Sequence, residues 1–398
     1  MIVANDMVYD SRVDRHAETL GQNGYDVTVL CTHTSRTTLE ERRPCYLIIR
    51  RSDFLHRLVD ARMRARQSQS RSRAVSDLPE KVSTLRSLIR SFFRLALSVT
   101  FDLSMIHAAR QLNANIYICN EVYTLRVGVF MKLLGKRIVY DAHELYPDMF
   151  GDTPNYLRRL LGRVEGFLTK FADIVITVNE FMASEICSRY GIHRPVVVMN
   201  CARASFPFRP VCAHRRERKV VLYHGVMSRE RGLENVVLAC KHLRNGIQVV
   251  FRGEGPIELK LKELARGLSN CVFEKPVPVS EVVSRAAEAD VGIVSYLPTT
   301  LNNIYASPNK LFEYLQAGLP VVGSDLPFIR KILLENEIGL VFNPFDPTDI
   351  ARAINFISQD EAYRKMKMNV EKARHRFSWE AESRKLLSAI SDIGPVGY

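Results

Sequence analysis

Short β-branched runs alternate with stretches of helical period along most of the chain. In the first half this pattern predicts strands at Val27–Leu30, Leu47–Arg50, Asn115–Cys119, Arg137–Asp141, Ile174–Thr177 and Val196–Met199. In the second half it predicts Val220–His224, Gln248–Arg252, Cys271–Phe273, Val291–Ser295, Pro320–Val322 and Leu340–Phe342. Helical stretches lie between most of them, which argues for parallel sheets covered by helices on both faces. Two such series predict an α/β chain of two doubly wound, Rossmann-like domains. The stretch 200–219 separates them. It holds Pro207, Pro210 and the basic run from His214 to Lys219, has no clear period, and reads as a linker. Beyond Phe345 the pattern is helical to about Ile390, and no repeat of solenoid period is present.

Composition narrows the class. A chain of 398 residues fits two domains at roughly 100–200 residues each and can bury cores without disulfides or structural metal. The eight cysteines stand singly, without C-x-x-C pairs or zinc spacing, and are expected to be reduced thiols in a cytoplasmic protein. The start, Met1-Ile2-Val3-Ala4-Asn5-Asp6, lacks the basic, then apolar, pattern of a signal peptide. No window reaches the ~18 apolar residues expected of a membrane span. The net charge of +13 is uneven: Arg50 to Arg110 carries 13 Lys/Arg against 5 Asp/Glu. Such a surface suits anionic partners, though a solvated helix face has the same composition. Within Phe54–Ala109 the apolar residues Phe92, Phe93, Leu95, Leu97, Val99 and Phe101 accompany the arginines. That combination predicts peripheral association with an anionic membrane face. Residues 67–73, rich in Arg, Ser and Gln, read as a loop.

The strongest chemical signal runs from Ser307 to Val322. Ser307 is a suitable N-cap, Pro308 suits the first helical position, and Gly318 marks the helix end before a buried strand. A helix N-terminus offers unpaired N–H groups and a positive dipole end, which suits a diphosphate. Lys310 sits in the first turn, where the dipole alone disfavours a cation; an anionic ligand explains it. Glu313 starts ~9 Å below the cap at 1.5 Å per residue and leans back toward it, in reach of ribose hydroxyls. The plainer alternative is an ordinary capped helix with a surface Lys310–Glu313 pair.

Other candidates follow strand ends. In Tyr223-His224-Gly225-Val226-Met227-Ser228-Arg229-Glu230-Arg231-Gly232 a strand stops at glycine, and the planar forks of Arg229 and Arg231 suit phosphate oxygens. Gly253 and Gly255 open a helix and admit a close backbone approach, as simple turn glycines also would. Asp141, His143 and Glu144 follow the strand at 137–141, where His143 offers an acid/base; a local capping network is the alternative. Asn120-Glu121 follow the preceding strand. There is no D-x-D pair, no Walker A pattern and no G-x-G-x-x-G after a strand, which disfavours a kinase, an ATPase and a typical dehydrogenase.

Together these motifs resemble the family 4 (group 1) retaining glycosyltransferases of the GT-B fold, along nearly the whole chain. Asp10-Ser11-Arg12-Val13 through Leu30 is similar to the family's opening strand–loop–helix–strand. Asp141-Ala142-His143-Glu144 resembles an N-domain signature, Arg231-Gly232 the basic residue that contacts donor phosphates, and Ser307–Val322 the donor-binding helix. Phe377-Ser378-Trp379-Glu380 resembles the start of a C-terminal helix that returns to the N-domain. The resemblance implies two Rossmann-like domains facing across a cleft. The acceptor domain would be 1–202 plus 375–398, and the nucleotide-sugar domain 215–374. It implies donor contacts from Arg229, Arg231, Gly255, Ser307, Asn309, Lys310, Leu311 and Glu313, an N-domain loop with Asp10 and Arg12, and catalytic groups among His143, Glu144 and Glu121. No cofactor and no metal are expected. The implied partners are a nucleotide-diphosphate sugar and a glycan or lipid-linked acceptor, with an anionic membrane surface in addition and no nucleic acid. The sequence departs from the family pattern where a Glu usually lies eight residues before the ribose Glu. That position is Tyr305, leaving Asn302, Asn303 or Ser307 to serve. A His usual after the fourth N-domain strand is Asn120, and the Gly-Gly turn after the first strand is replaced by Tyr9-Asp10-Ser11-Arg12.

The expected function is sugar transfer with retention in cell-surface polysaccharide or glycolipid synthesis, by an enzyme on the inner face of the membrane. Two alternatives differ in observable ways. A nucleotide-sugar epimerase on the same fold releases a changed nucleotide-sugar without acceptor. A non-catalytic basic protein shows salt-sensitive nucleic-acid or membrane binding and no nucleotide affinity.

Overall fold

The computed structural model describes residues 1–8, 10–34, 37–51, 99–149, 154–204 and 218–394. Most of the predicted membrane-contacting segment, the loop at 67–73 and the core of the predicted linker lie outside the described residues. The chain divides into two compact units. The first is Met1–Ala142 with Phe167–Val175 and Asp392–Tyr398, and the second is His143–Gly166 with Ile176–Ser391.

In the first unit Thr28–Thr32 pairs in parallel with Leu47–Arg51, and Ile116–Asn120 with Arg137–Ala142. The N-terminal residues bridge the two pairs. The Ile2 N–H donates to Ile118 O (2.8 Å) and its carbonyl accepts from Asn120 N–H (3.0 Å), while Leu30 N–H donates to Met1 O (2.8 Å). The pattern missed this bridge because its regular pairing is a single residue long. It also missed the three-residue antiparallel edge strand Glu40–Arg42, whose charged residues carry no apolar period. The first helix, Ser11–Gln22, is capped by Asp10, whose carboxylate accepts the Val13 N–H at 3.0 Å. Arg12 turns inward from this helix and forms a bidentate pair with Asp141 at the end of the Arg137–Ala142 strand, both contacts at 2.8 Å. Both side chains are buried, and the His16 ring lies 3.7 Å from the same carboxylate.

In the second unit six parallel strands stand in the order Cys271–Glu274, Ile247–Arg252, Lys219–His224, Val291–Val294, Val321–Ser324, Gly339–Phe342. In chain order this is 3-2-1-4-5-6, the doubly wound arrangement. Successive strand residues feed two separate cores. Val221, Tyr223, Val249 and Phe251 pack with the Pro347–Ile357 helix on one face. Leu222, Val250, Leu311 and Phe328 pack on the other. Burial on both faces explains why these strands are continuous apolar runs. Each strand predicted from the pattern is present among the described residues, with ends shifted by a residue or two. The C-terminal helix Trp379–Asp392 is anchored by Trp379 N–H to Ala202 O (2.9 Å), and the buried Glu382 accepts Met199 N–H at 2.8 Å.

The Arg12–Asp141 pair is expected to be structural. Removing one partner of a buried pair strands the other charge and costs about 3–5 kcal/mol, whereas replacing both with apolar groups is often neutral. Arg12→Met and Asp141→Leu should each lower the denaturation midpoint, and the double variant should recover part of the loss. A double variant as unstable as the sum of the singles would contradict this account.

Candidate functional site

In a doubly wound sheet, ligands bind beyond the carboxyl ends of the strands where the chain order reverses. Here that point lies between Lys219–His224 and Val291–Val294. The loops leaving these strands carry Arg229, Arg231 and Tyr296, and the Asn309–Gln316 helix brings Lys310 against them.

The loop backbones are fastened to one another. Gly225 N–H donates to Arg252 O (3.0 Å), Met227 N–H to Glu254 O (2.9 Å), Ile257 N–H to Met227 O (3.2 Å) and Leu297 N–H to Glu230 O (2.8 Å). Glycine is required for this approach. A Cβ on Gly253, at φ +150°, would lie 2.1 Å from Gly225 O, and one on Gly255 would lie 2.4 Å from Met227 O. The contact that these glycines make possible is therefore between loops, a cause separate from the nucleotide approach that their spacing suggests.

Lys310 is only 8% exposed. Its Nζ stands 3.9 Å from the Tyr223 ring centroid, and the Arg231 guanidinium lies 3.8 Å from that of Tyr296. Aromatic faces attract cations but do not neutralise them. Burial, followed by the nearby Arg231, drives the Lys310 ammonium well below its ordinary value, while Glu313 acts in the opposite sense. Among the described residues no carboxylate forms an ion pair with Lys310 or Arg231. Arg229 is exposed in the same short 3-10 turn.

The helix cap differs from expectation. Pro308 is the N-cap, with no side-chain capping bond, and Asn309 is the first helical residue. Ser307, predicted as the cap, lies one residue further out, and its buried Oγ has no hydrogen-bond partner among the described residues. Proline takes the cap because its backbone there is extended, at φ −70° and ψ 129°. Asn309 Oδ1 accepts from Asn200 Nδ2 at 2.5 Å. The Leu311 side chain is fully buried in the core, and its N–H donates to Pro308 O (3.0 Å). Glu313 Oε2 lies 2.7 Å from His224 Nε2. The backbone N–H of His224 donates to the Tyr314 hydroxyl at 3.0 Å. His224, Tyr296 and Asn200 are not singled out by the sequence. Strand-end position was a usable signal for the first two; nothing marked Asn200.

His143 and Glu144 fall in this same unit. Asn302 Nδ2 donates to Glu144 Oε2 (2.5 Å), and Asn302 Oδ1 accepts Leu145 N–H (2.8 Å). Asn302 thus braces the loop through both amide atoms, and Asn303 bonds Thr299 Oγ1 (3.1 Å). Tyr305 stacks on Phe181 with centroids 6.2 Å apart. His143 Nδ1 is buried without a hydrogen-bond partner among the described residues. Burial raises the Tyr296 hydroxyl, and Arg231, Glu144 and Glu313 all act on it electrostatically, which gathers the two loops about one tyrosine. Glu121, Asp10 and Arg12 belong to the first unit. Glu121 holds φ 74° and ψ 154°, a region otherwise almost reserved for glycine and costing about 1–3 kcal/mol. Such strain concentrates at functional positions.

Comparison with known proteins gives two family matches, Glycosyltransferase Family 4 over residues 11–203 and Glycosyl transferases group 1 over residues 207–377. The chain is 30% identical over 132 residues to TuaH of Bacillus subtilis, a glycosyltransferase whose name assigns it to teichuronic acid biosynthesis; the match covers 33% of this chain and 32% of that protein. The chain spans from 32% to 58% of the length of three such curated relatives. Among solved structures, sucrose-phosphate synthase from Thermosynechococcus elongatus superposes with a TM-score of 0.70 at 18% identity, covering 96% of this chain and 92% of that one. Anabaena HepE, in complex with UDP and glucose, gives 0.60 at 16% identity, covering 75% of this chain and 82% of that one. The fold is therefore GT-B, with Rossmann-like α/β units.

A lysine whose folded-state value is depressed binds fewer protons folded than unfolded, so its contribution to stability rises with pH and is lost as pH falls below the ordinary lysine value. Lys310→Met should therefore melt higher than wild type near neutral pH when no ligand is present. The gap should narrow as pH is raised toward 10. A variant that melts lower throughout would show that Lys310 is already neutralised within the protein.

Proposed function

We propose that this chain, a group 1 glycosyltransferase of the GT-B fold, transfers a sugar from a nucleoside-diphosphate sugar to a glycan or lipid-linked acceptor, with retention and without metal. Cell-surface polysaccharide or glycolipid synthesis is the setting that its similarity to TuaH supports. The observation that carries the reading is the buried Lys310 ammonium beside Arg231, at the switch point and in the first turn of a helix. Two cations that find no carboxylate partner among the described residues are matched by a diphosphate. The helix N-terminus adds N–H donors to the same anion.

In this reading Lys310 and Arg231 stabilise the charge that develops on the departing nucleoside diphosphate, in surroundings where preorganised donors count for more than in water. Glu313, oriented by His224, accepts from the ribose hydroxyls. His143 and Glu144, on the loop that Asn302 braces, act at the reacting sugar or acceptor. By role, residues 1–202 with 375–398 form the acceptor side and 215–374 the donor side, a division that differs from the two compact units, which keep 143–166 and 176–391 together; Asp10, Arg12 and Glu121 belong to the acceptor side. Arg12, already committed to Asp141, serves it by holding the first helix rather than by touching ligand.

Calorimetric titration with nucleoside diphosphates tests the donor site. Loss of a hydrogen bond to a charged group costs about 1.5–3 kcal/mol, roughly ten- to a hundredfold in affinity. Lys310→Ala and Arg231→Ala should lose that much for the diphosphate and little for the nucleoside. Glu313→Gln should weaken the diphosphate but not its 2′,3′-dideoxy analogue, and EDTA should leave turnover intact. Wild-type affinity in all three variants would overturn the reading. His143→Ala should lower kcat and kcat/KM together while donor affinity stays near wild type, the mark of a group acting in the transition state; an unchanged kcat would make His143 structural.

A further inference from the structure

The helix Asn155–Thr169 has three distinct faces. At about 100° per residue, Arg158, Gly162, Glu165, Gly166 and Thr169 share one side, and that side is seated. Arg158 lies 3.6 Å from Asp148, Glu165 accepts the Tyr190 hydroxyl at 2.8 Å, and a Cβ on Gly166 would stand 2.7 Å from the Tyr190 ring. The opposite side, an arc of about 140°, carries Tyr156, Leu157, Leu160, Leu161, Val164 and Phe167. All six are exposed, Tyr156 by 72%, Leu160 by 55% and Phe167 by 61%. Along one edge of the arc, at the same helical spacing, run Arg159, Arg163 and Lys170, exposed and without a carboxylate partner among the described residues. The only carboxylate on the helix, Glu165, is on the seated side and buried.

A soluble surface seldom leaves six large apolar side chains contiguous in water. A second protein surface would cover the arc only if it also carried carboxylates placed to meet the cationic edge. A bilayer interface satisfies both, because apolar side chains sink ~5–10 Å into the acyl boundary while cations meet anionic headgroups. No helix among the described residues is long and apolar enough to cross a membrane, so any contact made by this helix lies in the interface plane. We propose that Asn155–Thr169 is an interfacial helix that docks this protein on an anionic lipid surface through Tyr156, Leu160, Val164 and Phe167, with Arg159 and Arg163 on the headgroups. This assignment is independent of the transferase reading and of the segment Phe54–Ala109.

Vesicle flotation with the full chain tests it, using phosphatidylcholine alone and phosphatidylcholine mixed with phosphatidylglycerol. Wild type should float with the mixed vesicles, release as salt is raised, and bind neutral vesicles weakly. Arg159→Gln/Arg163→Gln should weaken binding about 25-fold, at roughly fivefold per cation near an anionic surface. Tyr156→Ser/Leu160→Ser should weaken it by at least about tenfold. The arginine variant alters only exposed positions, so it decides the matter even if the apolar variant folds poorly. Wild type that ignores anionic vesicles, or arginine variants that bind like wild type, would overturn the proposal. So would a chain whose self-association in the ultracentrifuge is abolished by Leu160→Ser, since the arc would then be a subunit interface.

Discussion

Holding a lysine ammonium away from water is costly, and the second unit buries Lys310 where, among the described residues, no carboxylate forms an ion pair with it. Lys310 is buried by the same helix that supplies core residues Leu311, Phe312 and Leu315, so it cannot retreat to solvent without unseating that core. Tyr223 and Tyr296 face the two cations but leave their charge in place. The glycine-dependent fastening of the loops at 225–227 and 253–257 ties their backbones together beside Lys310. A diphosphate bound as proposed would meet cations already placed by folding.

Much of the architecture was legible because strands buried on both faces leave continuous β-branched runs, and these survive in the sequence without tertiary information. What escaped had no such run. The Ile2 bridge is one residue long, and Glu40–Arg42 is a charged edge. The cap shifted from Ser307 to Pro308 because propensity favours serine while the local backbone decides. Of the candidate site, the sequence marked Lys310, a cation in the first turn of a helix where the dipole disfavours one, and Glu313 one turn deeper. Its second partners were not marked. His224 lies 89 positions from Glu313 and Asn302 lies 158 from Glu144, and no local pattern encodes such pairings.

Arg12 shows the limit from the other side. The sequence places it in an N-domain loop at a helix start, where a ligand-facing arginine and a buried structural one look alike. Only the arrival of Asp141 from 129 positions away separates them. Asp141 belongs to the same four-residue motif as His143 and Glu144, so one short signature combines a group used for folding with two groups available for chemistry.

The backbone fastening at Gly253 and Gly255 has a bearing on how such a protein can diversify. Because Gly253 and Gly225 meet through main-chain atoms, a side chain at the first would displace the second, and Lys310 Nζ stands 3.4 Å from where a Cβ on Gly225 would be. An anion bound as proposed would depend on the same few atoms that pack these loops, so a substitution there would change packing and charge placement together. Positions outside this knot are less constrained: Tyr305 stacks on Phe181, so a substitution there would alter shape without reaching the atoms around Lys310.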